Sequence, residues 1–282
     1  MDPRLTEILL SPLVLMLLGL CIGSFLNVVV HRLPLMLERG WKLESAELLG
    51  VKVDDSPEVT LSRPRSRCPS CATAIAWHQN IPVLSYALLR GRCAACKTRI
   101  AARYPLIEIG TGILFAAVGW RFGATPMSLL WCGFAATLVA LAAIDWDTTL
   151  LPDNLTLPLL WAGLVSSLLG WTIPLSDSLW GAVVGYLSLW SVYWLFKLTT
   201  GKEGMGFGDF KLLAALGAWL GLKMILPILL AASMIGAVVG LVMKFGGSLR
   251  EGRYVPFGPF LAGAGLAVML AGQARVLGWL GW

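Results

Sequence analysis

Eight stretches of this chain are apolar over about the length a helix needs to cross a bilayer: 8–30, 105–122, 127–145, 155–171, 178–198, 209–222, 224–244 and 257–276. A spanning helix takes roughly 17–25 predominantly apolar residues. The pattern predicts an all-α polytopic membrane protein of about eight transmembrane helices. The stretch 209–222 is short, so seven or eight spans both fit. Composition agrees, since 57% of the residues are hydrophobic and 13% charged, against about 25% charged in a soluble domain. The first run does not read as a cleavable signal, being longer than a typical signal core and followed by no small-residue cleavage site. Leu20 is too large before Cys21 for a lipoprotein signal.

Basic residues set the expected orientation. Residues 31–104 hold 12 Lys and Arg, 197–211 hold 3 and 244–255 hold 3, leaving only Arg4, Arg121, Lys223 and Arg275 for the other side. Lys and Arg concentrate in cytoplasmic loops. This places 31–104 in the cytoplasm and, with eight spans, both termini outside. The net charge of +6 then reflects orientation and contact with anionic lipid, and no aromatic or basic motif suggests nucleic acid as a partner. The chain divides into a first transmembrane helix (1–30), a polar cytoplasmic insertion (31–104) and a membrane region (105–282). Residues 50–64 read as loop or short strands, and no internal repeat stands out. Gly217, Gly221, Gly236, Gly240, Gly263 and Gly265 suit close helix packing in lipid.

Cys68-Pro-Ser-Cys71 and Cys93-Ala-Ala-Cys96 are two C-x2-C pairs 21 residues apart. Four thiolates in this arrangement suit a tetrahedral structural zinc site. Two disulfides or free thiols are the alternatives, and a reducing cytoplasm argues against disulfides. Four sulfur ligands would close the metal to water, so its role would be structural. The residues between the pairs are too few to bury a core without such a staple.

The remaining chemistry is acidic. With only His31 and His78, no His-Glu-x-x-His and no dinucleotide-binding glycine motif, metalloprotease and nucleotide-dependent readings fall away. Asp145 ends one apolar run and Asp209 opens another after Gly206-Phe207-Gly208. A carboxylate at membrane depth is a functional-site hypothesis by default. As helix caps the two differ: Asp209 lies at a helix N-terminus, where negative charge is favoured, and Asp145 at a C-terminus, where it is not. Asp145 therefore needs another reason to be there. Two such aspartates can share one proton, the acid–base unit of an aspartic protease. Asp147 lies on another helix face and nearer water, and Asp153 reads as the N-cap of the next helix. Gly206 and Gly208 allow close backbone approach and leave room for an extended peptide.

Gly206-x-Gly208-Asp209 matches the G-x-G-D motif of intramembrane aspartic proteases. Asp145-x7-Asp153 with Leu151-Pro152, the four cysteines, Gly23-Ser-Phe-Leu-Asn27-Val-Val-Val-His31-Arg32-Leu-Pro34, Ile81-Pro-Val-Leu-Ser-Tyr86 and Arg103-Tyr-Pro-Leu-Ile-Glu108 occur in one order. Together they resemble the type IV prepilin peptidases of Gram-negative bacteria over nearly the whole chain. The resemblance implies a multi-pass protein of the bacterial inner membrane, with its zinc domain and active site on the cytoplasmic side. Its substrates would be type IV prepilins or pseudopilins, whose short basic leader is cleaved, and Asp145 and Asp209 would be the catalytic pair, with Gly206, Gly208, Asp147 and Asp153 in the supporting motifs. Bifunctional members also methylate the new N-terminus from S-adenosylmethionine. No motif for that donor is recognisable in 31–104. Gly91 is a candidate for the methyl-transfer site, although a tight turn of the zinc domain is the favoured reading of this glycine. An ion-coupled transporter using Asp145 and Asp209 as proton sites is the main alternative, and a zinc-ribbon scaffold without catalysis is a third.

Overall fold

The computed structural model describes residues 3–51, 59–246 and 255–282. The expected loop at 50–64 and the basic cluster at 244–255 lie partly outside the described residues. Those residues are largely helical, and the only strand-like pairings among them are two isolated bridges, Arg67 with Ala74 and Arg92 with Arg99. The chain forms two compact units, Met1–Ala140 and Leu141–Trp282.

The first unit begins with α1 (Pro3–Leu9) and α2 (Pro12–Leu49). Ser11 caps α2, its hydroxyl oxygen accepting the Val14 N–H, and Pro12 stands in the first turn, where its missing N–H costs nothing. The helix passes residue 30 without a break and stops at Gly50, which takes the left-handed conformation. A short 3-10 turn (Trp77–Asn80) and α3 (Leu84–Leu88) belong to the polar insertion. Two helices follow, α4 (Arg103–Phe122) and α5 (Pro126–Thr148), the last of which runs on into the second unit. Helices α2 and α4 meet through small residues. A Cβ on Gly19 would come within 2.8 Å of the Gly112 Cα, and one on Gly23 within 2.7 Å of the Glu108 Cα. Lipid offers no hydrophobic drive for helix association, so such backbone approach supplies the contact. Glu108 is buried, and its Oε2 accepts the N–H of Val83 at 2.7 Å. This bond ties the insertion to α4. Arg32 anchors the insertion to α2 by donating to the carbonyls of Thr60, Leu61 and Pro64.

The second unit holds α6 (Asp153–Leu168), α7 (Leu175–Thr200), α8 (Phe207–Leu220), a 3-10 turn (Leu222–Met224), α9 (Ile225–Phe245), α10 (Gly258–Ala271) and α11 (Gln273–Leu280). Helix α8 is its core, and every residue from Leu212 to Leu220 is buried. On α7, Gly181 and Gly217 of α8 touch backbone to backbone with no room for a side chain, and a Cβ on Gly185 would lie 2.7 Å from the Leu213 carbonyl oxygen. On α6, Gly163 packs against the Trp219 ring, whose Nε1–H donates to the Leu159 carbonyl at 2.8 Å. Of the glycines expected at helix contacts, Gly217 and Gly265 are tightly packed and Gly236 lies against Phe260, but Gly263 faces open space.

Among the described residues, five helical segments are long and apolar enough to cross a membrane: α2, α4, α5, α7 and Leu222–Phe245. Helices α10 and α11, bent by 102°, would make a sixth if they act as one span. The expected stretches 155–171 and 209–222 correspond to helices of 16 and 14 residues. Both are shorter than the roughly 17-residue minimum for a span. For α8 the reason is visible, since a helix enclosed by protein need not match the bilayer thickness.

Candidate active site and metal centre

Asp145 lies one turn before the end of α5, as its place at the end of an apolar run predicts. Its carbonyl accepts the N–H of Thr149, which has left the helix with φ of 55°. The side chain is only 4% exposed, and Oδ2 accepts the N–H of Gly258 at 2.9 Å. Asp209 is the third residue of α8 and 8% exposed. Its Oδ1 is buried and has no hydrogen-bond partner among the described residues. The two aspartates reach this place from separate helices, α5 and α8.

Leu151 links the surrounding turns. A Cβ on Gly208 would fall 2.7 Å from the Leu151 Cβ, and one on Gly258 would fall 3.2 Å from Leu151 Cδ1 and 2.6 Å from Asp145 Oδ2. Gly206, in extended conformation before α8, has no such neighbour, the nearest atom being the Gly208 nitrogen at 4.0 Å. The two glycines therefore differ: Gly208 is required by contact, and Gly206 leaves space.

Asp147 and Asp153 are exposed. Asp153 does not cap α6. It is the first residue of the helix, Pro152 occupies the N-cap, and both Asp153 oxygens accept from Lys211 Nζ at 2.7 Å. The cation on α8 outcompetes the local backbone because a charge-assisted, two-oxygen contact is the stronger bond. Neither Lys211 nor Gly258 was singled out from the sequence. Pro256-Phe257-Gly258-Pro259 carries a helix-start signal in its prolines, but nothing in it points to an aspartate 113 residues away.

In the first unit the sulfurs of Cys68, Cys71, Cys93 and Cys96 all lie within 4.8 Å of one another. The two knuckles are copies, although no repeat stood out in the sequence. The sequences Ser66–Ile75 and Gly91–Ile100 align at an offset of 25 residues, as Arg-Cys-x-x-Cys-x-Thr-x-Ile in each. In each the first cysteine's N–H donates to the threonine carbonyl (Thr73, Thr98), and the isoleucine N–H closes the loop on the Ser66 or Gly91 carbonyl. Ala72 and Lys97 both take positive φ. The Thr73 and Thr98 hydroxyls lie 3.3 Å from the sulfurs of Cys71 and Cys96. The Thr98 hydroxyl and N–H draw the Cys96 thiol down to about 6, and Thr73 acts in the same direction on Cys71. Both threonines favour the thiolate, the form that binds metal. Gly91 has φ of +66°, a Cβ there would lie 2.8 Å from the Tyr86 hydroxyl, and its N–H donates to the Tyr86 carbonyl. Gly91 thus occupies a turn position that a side chain would strain.

The fold and its buried acids define an all-helical, multi-pass membrane protein with two aspartates brought together from separate helices. The chain belongs to the type IV leader peptidase family: residues 132–241 match that family, and 17–122 match the bacterial peptidase A24 N-terminal domain. It is 52% identical to a Pseudomonas putida protein described as prepilin leader peptidase/N-methyltransferase, over 91% of this chain and 89% of the relative. Proteins of the same description from Pseudomonas aeruginosa and Neisseria gonorrhoeae are 50% and 46% identical, over 91% and 93% of this chain and 89% and 92% of theirs. No solved structure matches.

Proposed function

We propose that this chain removes the basic leader of type IV prepilins and pseudopilins at the cytoplasmic face of the bacterial inner membrane and methylates the N-terminus so exposed. Asp145 and Asp209 form the catalytic pair. The observation that carries this reading is the burial of both carboxylates, from different helices, around one shared residue: Leu151 lies against Gly208, which precedes Asp209, and against Gly258, whose N–H is bonded to Asp145. Like charges so placed cannot both ionise cheaply, so one carboxylate and one carboxylic acid coexist. The carboxylate takes a proton from water as the water oxygen attacks the scissile carbonyl carbon, and the acid gives its proton to the carbonyl oxygen. When the C–N bond breaks, the first aspartate passes its proton to the leaving nitrogen. The diol returns a proton to the second. The pair ends with one proton, as it began. The transporter reading finds no support in the relatives.

Cys68, Cys71, Cys93 and Cys96 would hold one structural zinc, which suits four clustered sulfurs in two matching loops. S-adenosylmethionine, when bound, supplies an electrophilic methyl group to the neutral amine. We place its site in 31–104, with Gly91 as the candidate residue.

Asp145→Asn and Asp209→Asn are each expected to lower leader cleavage by about 10³-fold, within reach of the 10²–10⁴ that general acid–base groups contribute. Both variants should stay folded and membrane-inserted. Cleavage of purified prepilin, followed by the mobility shift of the product, is the measurement. Near-normal turnover by either variant would move the assignment to Asp147 or Asp153.

A further inference from the structure

At the start of α10 a main-chain donor within the helix is taken by an aspartate. Pro259 has no N–H, and the N–H groups of Phe260 and Leu261 both turn back to the Phe257 carbonyl. That leaves the N–H of Gly258, which donates to Asp145 Oδ2 at 2.9 Å inside the protein. It lies at the positive end of a 14-residue helix, where a negative charge is favoured. A hydrogen bond donated to a carboxylate stabilises its ionised form. Asp209 gives the contrast: its Oδ1 is buried without a partner among the described residues, and a buried charge with an unpaired oxygen is costly. Asp209, in the first turn of α8, also sits at a helix N-terminus, so the helix charge does not choose between the two acids, and what sets them apart is the 2.9 Å bond to Asp145 Oδ2 and the unpartnered Asp209 Oδ1.

The position also excludes a side chain. A Cβ at 258 would lie 2.6 Å from Asp145 Oδ2, closer than real Cβ atoms come, and 3.2 Å from Leu151 Cδ1. Any residue but glycine would displace the carboxylate, Leu151 or the start of α10. We propose that Gly258 is a positioning residue for cleavage, its main-chain N–H fixing the Asp145 carboxylate in the orientation that activates water. This rests on the reading of Asp145 and Asp209 as the catalytic pair.

The test is steady-state cleavage of a purified prepilin by the full-length enzyme in detergent micelles, with thermal unfolding followed on the same preparations. Gly258→Ala is expected to lower kcat by about 10²-fold, the cost of a roughly 1 Å misplacement of a reacting group, with KM within about twofold of wild type. A merely structural defect would instead reduce the amount of active enzyme and the unfolding midpoint together. Gly263→Ala, on the same helix but facing open space, should leave both constants unchanged. Leu151→Ala and Leu151→Ala/Gly258→Ala separate the two contacts, because removing the leucine frees its side of the new methyl group and leaves only the Asp145 oxygen in the way. The double variant should remain about 10²-fold slower in kcat than Leu151→Ala alone. This comparison also serves if Gly258→Ala does not fold. Equal kcat for those two variants, or a Gly258→Ala enzyme with wild-type kcat, would overturn the proposal. Asp145→Asn is run alongside. If it still cleaves, the catalytic-pair reading has failed whatever Gly258 does. If it is inactive while Gly258→Ala is normal, only the inference about Gly258 has failed.

Discussion

Within Gly206-Phe207-Gly208-Asp209 the two glycines do different work. Gly208 is held against Leu151 so closely that a Cβ would lie 2.7 Å from the leucine Cβ. A methyl group there must push Leu151 or the first turn of α8 aside, and Asp209 is the next residue. Gly208→Ala is therefore expected to lower cleavage by about 10²-fold, again the effect of a displacement of order 1 Å. Gly206 has φ of −82° and open surroundings, conditions any residue tolerates. Gly206→Ala should retain most of the activity with a small substrate. Comparing kcat/KM for the two variants checks this, and equal losses would mean that Gly206 serves the site by something other than space. Both glycines were legible as a motif. Their difference was not, because it depends on Leu151, brought alongside by the loop between α5 and α6.

Helix α8 shows how an element is stabilised without a hydrophobic drive. Its contacts with α7 run through Gly181 and Gly217, where backbone meets backbone. Forcing a methyl group into such a contact costs about 1–3 kcal/mol or more. Gly217→Ala is expected to lower the thermal midpoint in detergent clearly, and Gly263→Ala to leave it unchanged or raise it, since alanine is favoured over glycine in a helix by about 0.5–1 kcal/mol. A midpoint for Gly217→Ala equal to wild type would show that α7 and α8 can part at no cost. The cysteine knuckles carry a prediction of another kind. The Thr98 hydroxyl lies 3.3 Å from the Cys96 sulfur and favours its thiolate, so protons compete with a metal for that sulfur less readily than they would without it. Without the hydroxyl, the thiol returns toward its ordinary value near 9 and protons compete sooner. Thr98→Val should therefore release zinc to a chelator at a higher pH than wild type does. Identical release profiles would mean that the hydroxyl does not act on the bound thiolate.

For the molecule as a whole, the expected division of labour is cleavage in the second unit and methyl transfer in the amino-terminal part. Gly91→Val is expected to reduce methylation of a pre-cleaved pilin more than it reduces leader cleavage. Its positive φ and contact with Tyr86 also predict damage to the second knuckle, so metal content is measured on the same preparation. Methylation lost together with zinc assigns Gly91 to the turn; methylation lost with zinc retained assigns it to the donor site. Unchanged methylation would remove it from both.

What could be read from the linear chain was whatever depends on neighbours in sequence: the helical, membrane-spanning class, the paired cysteines, and the placing of one acid at the end of an apolar run and another at the start. Packing against lipid and packing against protein look alike in hydropathy, because lipid chains are as apolar as leucine. Only the tertiary structure therefore decided that α8 is enclosed, that Gly263 faces outward while Gly217 is clamped, and that two expected spans are short. The repeat of the knuckles was present in the residues yet became evident only when matching hydrogen bonds gave it meaning. The bond from Gly258 to Asp145 joins residues 113 apart in the chain. No local propensity encodes it, since a main-chain N–H is the same at every residue and only its place at the buried start of α10 makes it a partner for a carboxylate.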